Sequence, residues 1–255
     1  MPNPIVDPLV DGHDESLDTP DVEVDVTPEG VATVLINRPD RQNALNWNVI
    51  EALSEAFETL HAADGVRVIL LRGAGGAFCA GADPQWLMAG TDDAKDEEGA
   101  VVEEVGKMLR RLWRMPALTV ALVDGVAFGA GAWLASACDV VVADQTARFG
   151  YVDAKLRATP AVISPYLAGA MGFREVEGLF AEDRAYDAEE AKRLGLVQEV
   201  VADPAALDAV AERIAASARG EPAKDGLTQE TLRRIAGAQA EAEDLGGARP
   251  NWADQ

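Results

Sequence analysis

An α/β fold with a helical C-terminal part is the architecture this 255-residue sequence predicts. Three observations lead there. Short runs rich in Val, Ile and Leu recur along the chain, segments of helical apolar spacing separate them, and helix signals dominate after Phe149.

From Asp7 to Glu29 there are nine acids and no Lys or Arg, with Pro and Gly between them. This reads as a solvated acidic arm, residues 1–21, giving way to a strand near Val22 to Val26. "VATVLIN" (Val31 to Asn37) and "VRVILLRG" (Val66 to Gly73) are strand-like. Between them Val49, Ile50, Leu53, Phe57 and Leu60 recur at helical spacing, with Glu51, Glu55 and Glu58 on the opposite face. A second amphipathic helix runs through Val101, Val105, Met108, Leu109 and Leu112. "ALTVALV" and "DVVVAD" follow as buried strands, flanking a short helix that starts near Gly129.

Beyond Phe149 the signals are helical. Ser164-Pro165 resembles an N-cap and first-turn proline. "DAEEAKRLGL" carries a carboxylate capping box, Asp187 with Glu190, and a terminating Gly195. "GLVQEVV" is a late strand, Asp203-Pro204 opens a helix, and Thr228 to Leu245 forms the last one. Glu221 to Gly226 is the most linker-like stretch. The organisation is an arm (1–21), a core (22–201) and a C-terminal helical region (202–255).

Composition then narrows the function. The chain is 48% hydrophobic and 26% charged, as in ordinary globular proteins. No apolar run reaches the ~18 residues that span a bilayer, and the N-terminus lacks signal-peptide regions, so a cytoplasmic protein is expected. A net charge of −22 repels nucleic acid and anionic membranes, and neither is expected as a partner. Cys79 and Cys138 form no metal spacing and read as reduced core thiols.

Only two histidines exist, His13 in the arm and His61 on the polar side of its helix. A Ser-His-Asp or Cys-His system has almost no candidate base, and no metal site built on His or Cys is expected. Gly73, Gly75 and Gly76 are not followed by Lys-Ser/Thr, so they are no P-loop. "GAGAWL" has Leu134 at the third glycine position of a dinucleotide fingerprint.

Two turns after buried strands remain, "GAGGAFCAGAD" (Gly73 to Asp83) and "DGVAFGAGAW" (Asp124 to Trp133). Glycine and alanine leave little bulk near the backbone in both. Facing one another, such loops can aim two peptide N–H groups at one oxygen and stabilise an enolate or tetrahedral oxyanion. Tight packing turns are the other reading of the same spacing.

"INRPDRQNALN", "AFCAGAD", "VDGVAFGAGAWLASACDVVVAD" and "ARFGYVDAKLRATP", in this order from about Val22 to Val201, resemble the enoyl-CoA hydratase/isomerase (crotonase) superfamily. Ser164-Pro165-Tyr166 most resembles members near the methylglutaconyl-CoA hydratases. The resemblance implies a crotonase-like spiral of ββα units with a helical C-terminal part, assembled as a homotrimer or a dimer of trimers. It also implies an acyl-CoA substrate and no separate cofactor, since CoA is part of that substrate.

By resemblance the oxyanion N–H groups fall on Ala82 and Ala130, the latter replacing a glycine often found there. Gly129 and Gly131 border the acyl pocket. The two loops embracing CoA supply Arg38, Arg41 and Ala44, then Ala80, Asp83 and Pro84. Arg38 and Arg41 are candidate phosphate partners, with solvated surface arginine as the alternative. Many family hydratases carry two glutamates. The first falls on Trp133, expected to wall the acyl pocket or to turn into general packing. The second falls on Asp153, the expected acid/base, a methylene shorter. Lys155 and Arg157 follow it, and Glu97, Glu98, Glu103 and Glu104 are candidates for a second acid. Double-bond isomerisation needs one shuttling acid, hydration an activated water. A related CoA-thioester decarboxylase or hydrolase, or an acyl-CoA-binding protein without its acids, are the alternatives.

Overall fold

A computed structural model describes residues 20–85, 94–151 and 184–218, together with Tyr166, Leu167, Met171, Val176, Leu179 and Glu182. Side chains of the second helix are described from Val102 onward. Asp153, Lys155, Arg157, Ser164-Pro165, His13, the side chains of Glu97 and Glu98, the stretch Glu221 to Gly226 and the expected helix from Thr228 to Leu245 lie outside the described residues.

The strand-like runs form one large sheet. Strands β1 (Val22–Val26), β2 (Val31–Ile36), β3 (Val68–Gly73), β4 (Leu118–Val123), β6 (Val140–Asp144) and β9 (Glu199–Val201) lie side by side in that order. Only β1 runs antiparallel to its neighbour. Period-two alternation sends each strand's residues to two faces. Ala32, Val34, Ile36, Ile69, Leu71, Ala121, Val123, Val141 and Ala143 share one core. Val31, Val68, Leu70, Val120, Leu122, Val140 and Val142 share the other. Burial on both faces explains why these runs read as continuous apolar stretches.

Helices α1 (Trp47–Ala62), α2 (Ala94–Trp113) and α3 (Ala130–Ser136) contribute to the first core. α1 buries Val49, Ile50, Leu53, Phe57 and Leu60, the predicted stripe, and is capped by Asn46 Oδ1 accepting from Val49 N–H at 3.0 Å. α4 (Ala188–Arg193) carries the predicted capping box, with Asp187 and Glu190 bonded reciprocally, and Gly195 follows it at φ 89°. α5 (Pro204–Ala218) lays Leu207, Val210 and Ile214 on the second core. The described residues after Val201, through Ala218, are thus packed on the sheet. No helix among the described residues is long and apolar enough to cross a membrane.

One expectation needs correction. "DGVAFGAGAW" is not a single turn, because Val126–Phe128 forms strand β5 of a second, three-stranded sheet with β7 (Arg148–Gly150) and β8 (Tyr186–Asp187). Three residues are too few for periodicity to mark them, and pairing to distant partners makes the strand. The chain therefore visits the large sheet, then the small one, then a helix: β4, β5, α3. After β3 the bridge between Cys79 and Ala127 does the same before α2.

Candidate active site

The segment Phe78 to Asp83 is bonded on both sides. Toward the small sheet, Phe78 N–H donates to Asp124 O at 2.9 Å, Cys79 N–H to Val126 O at 2.9 Å, and Phe128 N–H to Cys79 O at 3.0 Å. Toward the first loop, Ala80 N–H donates to Gln42 O at 3.0 Å, Leu45 N–H to Gly81 O at 2.7 Å, and Asp83 N–H to Leu45 O at 2.9 Å. Leu45 and Ala82 are therefore parallel bridge partners. In such a ladder the residue between two bonded neighbours turns its own N–H away from the partner strand. Ala82 is that residue, and Gly81 at φ 90° makes the reversal just before it.

The second amide comes from a helix start. Gly129, at φ 49° and ψ −121°, donates its N–H to Gly150 O at 2.7 Å, and α3 begins at Ala130. The first intrahelical bond runs from Trp133 N to Gly129 O at 3.1 Å, so Ala130, Gly131 and Ala132 have no intrahelical acceptor. A Cβ on Gly81 would lie 2.6 Å from Phe128 O and 3.6 Å from Ala130 N, and one on Gly131 would lie 2.2 Å from Cys79 O. The two loops are in backbone contact.

Among the described residues, neither the Ala82 nor the Ala130 N–H donates to a protein acceptor. Ala130 is 1% exposed, and a buried N–H without a partner is uncommon. The buried Ala130 N–H at the start of a helix and the N–H of the part-exposed Ala82, on touching loops, suit an oxygen carrying negative charge.

Polar side chains hold the first loop. Asn43 is fully buried at φ 57°. Its Oδ1 accepts from Arg38 N at 2.8 Å, and its Nδ2 donates to Ala74 O at 2.8 Å and Ala77 O at 2.6 Å. Arg38, expected beside a phosphate, has its guanidinium engaged within the protein. It donates to Ala44 O at 2.6 Å and Asp83 Oδ2 at 3.2 Å, and lies 3.6 Å from Asp21 Oδ2. Asp83 Oδ1 accepts from Gln85 N at 3.0 Å across the exposed Pro84. Arg41 sits exposed on a short 3-10 turn, Pro39–Arg41, and Ala80 is part-exposed at the meeting of the loops.

Trp133 is fully buried, and its Nε1–H donates to Tyr151 O at 3.2 Å. The Tyr151 hydroxyl lies 3.3 Å from Ser136 Oγ, which donates to Ala132 O at 2.8 Å, and burial pushes the phenol up. Tyr151 thus backs α3 two residues before Asp153. Glu103 and Glu104 both pair with Lys107, at 2.9 and 2.7 Å.

Asn43, Cys79 and Tyr151 were not singled out by sequence reasoning for the site. Asn43 alone left a signal, since Asn tolerates the left-handed region near a Pro-Asp turn.

The sequence matches the enoyl-CoA hydratase/isomerase family over residues 26–245. A Thermus thermophilus relative carrying an enoyl-CoA hydratase name is 37% identical over 210 residues, 81% of this chain and 82% of that one. The 1,2-epoxyphenylacetyl-CoA isomerase of Escherichia coli is 33% identical over 182 residues, 71% of this chain and 70% of its own. Mouse methylglutaconyl-CoA hydratase is 34% identical over 174 residues, 68% of this chain and 54% of the mouse protein. Among solved structures, an enoyl-CoA hydratase of Mycobacterium smegmatis aligns at TM-score 0.72 and 28% identity over 89% of this chain and 92% of that one. The crotonase-like fold expected from the motifs is therefore the fold of this chain. The protein belongs to the enoyl-CoA hydratase/isomerase family and is an enzyme of that family.

Proposed function

We propose that the enzyme binds an acyl-CoA thioester and moves a proton at the carbon next to its carbonyl, with the enolate oxygen held by the Ala82 and Ala130 N–H groups. The observation that carries this reading is a pair of amides without protein acceptors among the described residues, on two loops stitched together through Cys79, Leu45 and Phe128. Each such donor is typically worth ~3–4 kcal/mol in the transition state.

Double-bond isomerisation is the reading favoured within that chemistry. Asp153, by resemblance, removes a proton from C2 of a 3-enoyl thioester and returns one to C4, bringing the double bond into conjugation. One carboxyl suffices, and no water is activated. Trp133 stands where a hydratase holds water, and its one polar hydrogen is already engaged by Tyr151 O. Hydration is the second reading, favoured by the hydratase names of the Thermus and mouse relatives. Arg41, exposed on the first loop, is the candidate partner for a CoA phosphate, while Arg38 shapes the loop. We extend the proposal to the homotrimer or dimer of trimers implied by the resemblance, which light scattering distinguishes directly.

Incubation with 3-enoyl-CoA and with crotonyl-CoA, following conjugation and free thiol, separates the activities. Appearance of conjugation from the 3-enoyl ester supports isomerisation, its loss from crotonyl-CoA supports hydration, and free thiol marks a hydrolase. No change in any channel, with CoA esters still raising the melting temperature, leaves a binding protein. Ala130→Pro tests the oxyanion reading, since proline suits the first helical position, removes that N–H and puts its ring carbon where the oxygen would be held. Turnover should fall ~100-fold or more, and unchanged turnover would overturn the reading.

A further inference from the structure

Three hydrogen bonds tie the end of β7 to α3. Gly129 N–H donates to Gly150 O at 2.7 Å just before the helix begins. One residue past Gly150, Tyr151 O accepts the Trp133 Nε1–H at 3.2 Å. One turn further along the helix, Ser136 Oγ lies 3.3 Å from the Tyr151 hydroxyl. Trp133 and Ser136 are three residues apart and so share a side of α3. Together they grip Tyr151 by its backbone and by its ring. Trp133 and Tyr151 are both buried, where a carbonyl or N–H left unpaired is destabilising.

The grip joins the two groups that the reaction needs at a fixed separation. α3 begins with the Ala130 N–H. Asp153 follows Tyr151 by two residues, a span that chain geometry limits to about 7 Å. An acid that takes a proton from C2 while Ala130 holds the thioester oxygen must keep one distance from that N–H, and a misplacement of ~1 Å slows transfer ~100-fold. The start of α3 has other anchors, the Gly129 bond to Gly150 and the packing of Gly131 on Cys79. Loss of the grip on Tyr151 therefore releases the chain toward Asp153 and leaves the helix in place.

We infer that Trp133 and Ser136 are positioning residues, whose grip on the Tyr151 carbonyl and hydroxyl holds the acid-bearing chain at a fixed distance from the Ala130 N–H. The inference rests on the reading of Ala130 as an oxyanion donor and of Asp153 as the acid/base.

Trp133→benzothienylalanine, introduced site-specifically, keeps both rings and replaces only the indole N–H by sulfur. The rate at which the enzyme exchanges the C2 protons of butyryl-CoA with deuterium oxide is expected to fall at least tenfold, while the affinity for butyryl-CoA changes less than twofold. Isotope-edited infrared spectra of bound, carbonyl-labelled butyryl-CoA should keep the parent's downward shift of the thioester stretch, because the oxyanion amides have not moved. Ser136→Ala and Tyr151→Phe should each slow exchange about threefold and the double variant no further, since both remove one contact. Exchange at the parental rate in the sulfur analogue overturns the inference. So does loss of the infrared shift together with exchange, which marks a helix displaced as a whole. Additive losses in the double variant strike Ser136 from it. An inert Asp153→Asn beside a fully active sulfur analogue overturns the role of Trp133 alone. Parental exchange in Asp153→Asn or Ala130→Pro, or none in the parent, removes the underlying reading and this inference with it.

Discussion

The two loops that meet at Ala82 and Ala130 are held in opposite ways. The first, Arg38 to Leu45 laid along Ala80 to Asp83, is tied by polar side chains: Asn43 makes three hydrogen bonds, and Arg38 bridges Ala44 O and Asp83. The second, Gly125 to Gly131, is held by backbone pairing and by the absence of side chains. A Cβ on Gly125 would lie 2.2 Å from Gly76 O, and one on Gly131 2.2 Å from Cys79 O. A loop tied by side chains fails when a group is removed, because buried partners are left unsatisfied. A loop packed backbone to backbone fails when a methyl is added, because no flexible side chain can give way.

The strongest way to break this contrast is Gly131→Ala. The added Cβ meets the backbone of Cys79, so α3 must move, and turnover should fall more than ~100-fold, a misplacement of about 1 Å being enough. Steady-state kinetics check it. Next is Asn43→Gly, which suits φ 57° but strips the side chain from a fully buried site. Urea unfolding should show a loss of about 3 kcal/mol, several buried hydrogen bonds being removed at once. Arg38→Met leaves the Asp83 carboxylate, whose side chain is 6% exposed, without its cation. A loss of about 2 kcal/mol is expected, and Arg38→Lys should restore only part of it because it lacks the fork that reaches both Ala44 O and Asp83. At pH 8 the Cys79 thiol, fully buried and pushed up by that burial, should resist a disulfide reagent until the chain is denatured.

The smallest effect belongs to Asp124, at the entrance of the second loop. Burial raises its carboxyl above the ordinary 3.8, so the folded chain holds this proton more readily than the unfolded one. Its contribution is fully present below the ordinary value and is lost as pH rises through the higher folded value. Asp124→Asn should therefore be slightly the more stable protein at pH 7, by less than about 0.5 kcal/mol. The difference should vanish below the ordinary carboxyl range, as melting curves across pH will show.

Much of the fold was legible because its signals are local or periodic. Asp187 and Glu190 are three residues apart and cap α4 with no help from elsewhere. The stripe from Val49 to Leu60 marks α1 by spacing alone. Strand β5 was missed because three residues carry no period, and its identity comes from Cys79 and from Phe149, far along the chain. Part of the candidate site was legible too, in that Gly129-Ala130-Gly131 reads as a bare helix start. The engagement of Arg38 was not, since Arg beside Pro-Asp looks the same whether its partner is a buried aspartate or a phosphate.

The sequence by itself determined the buried stripe of α1, where helices begin, and which chemistries lack their residues, because periodicity, capping and composition act over a few positions. Only the tertiary structure decided that Asn43 reaches Ala74 and Ala77, that Arg38 meets Asp83, and that Trp133 gives its N–H to Tyr151. Those contacts join residues 18 to 45 positions apart. What brings them together is the packing of two sheets against one core, a property of the whole chain that no short stretch of it contains.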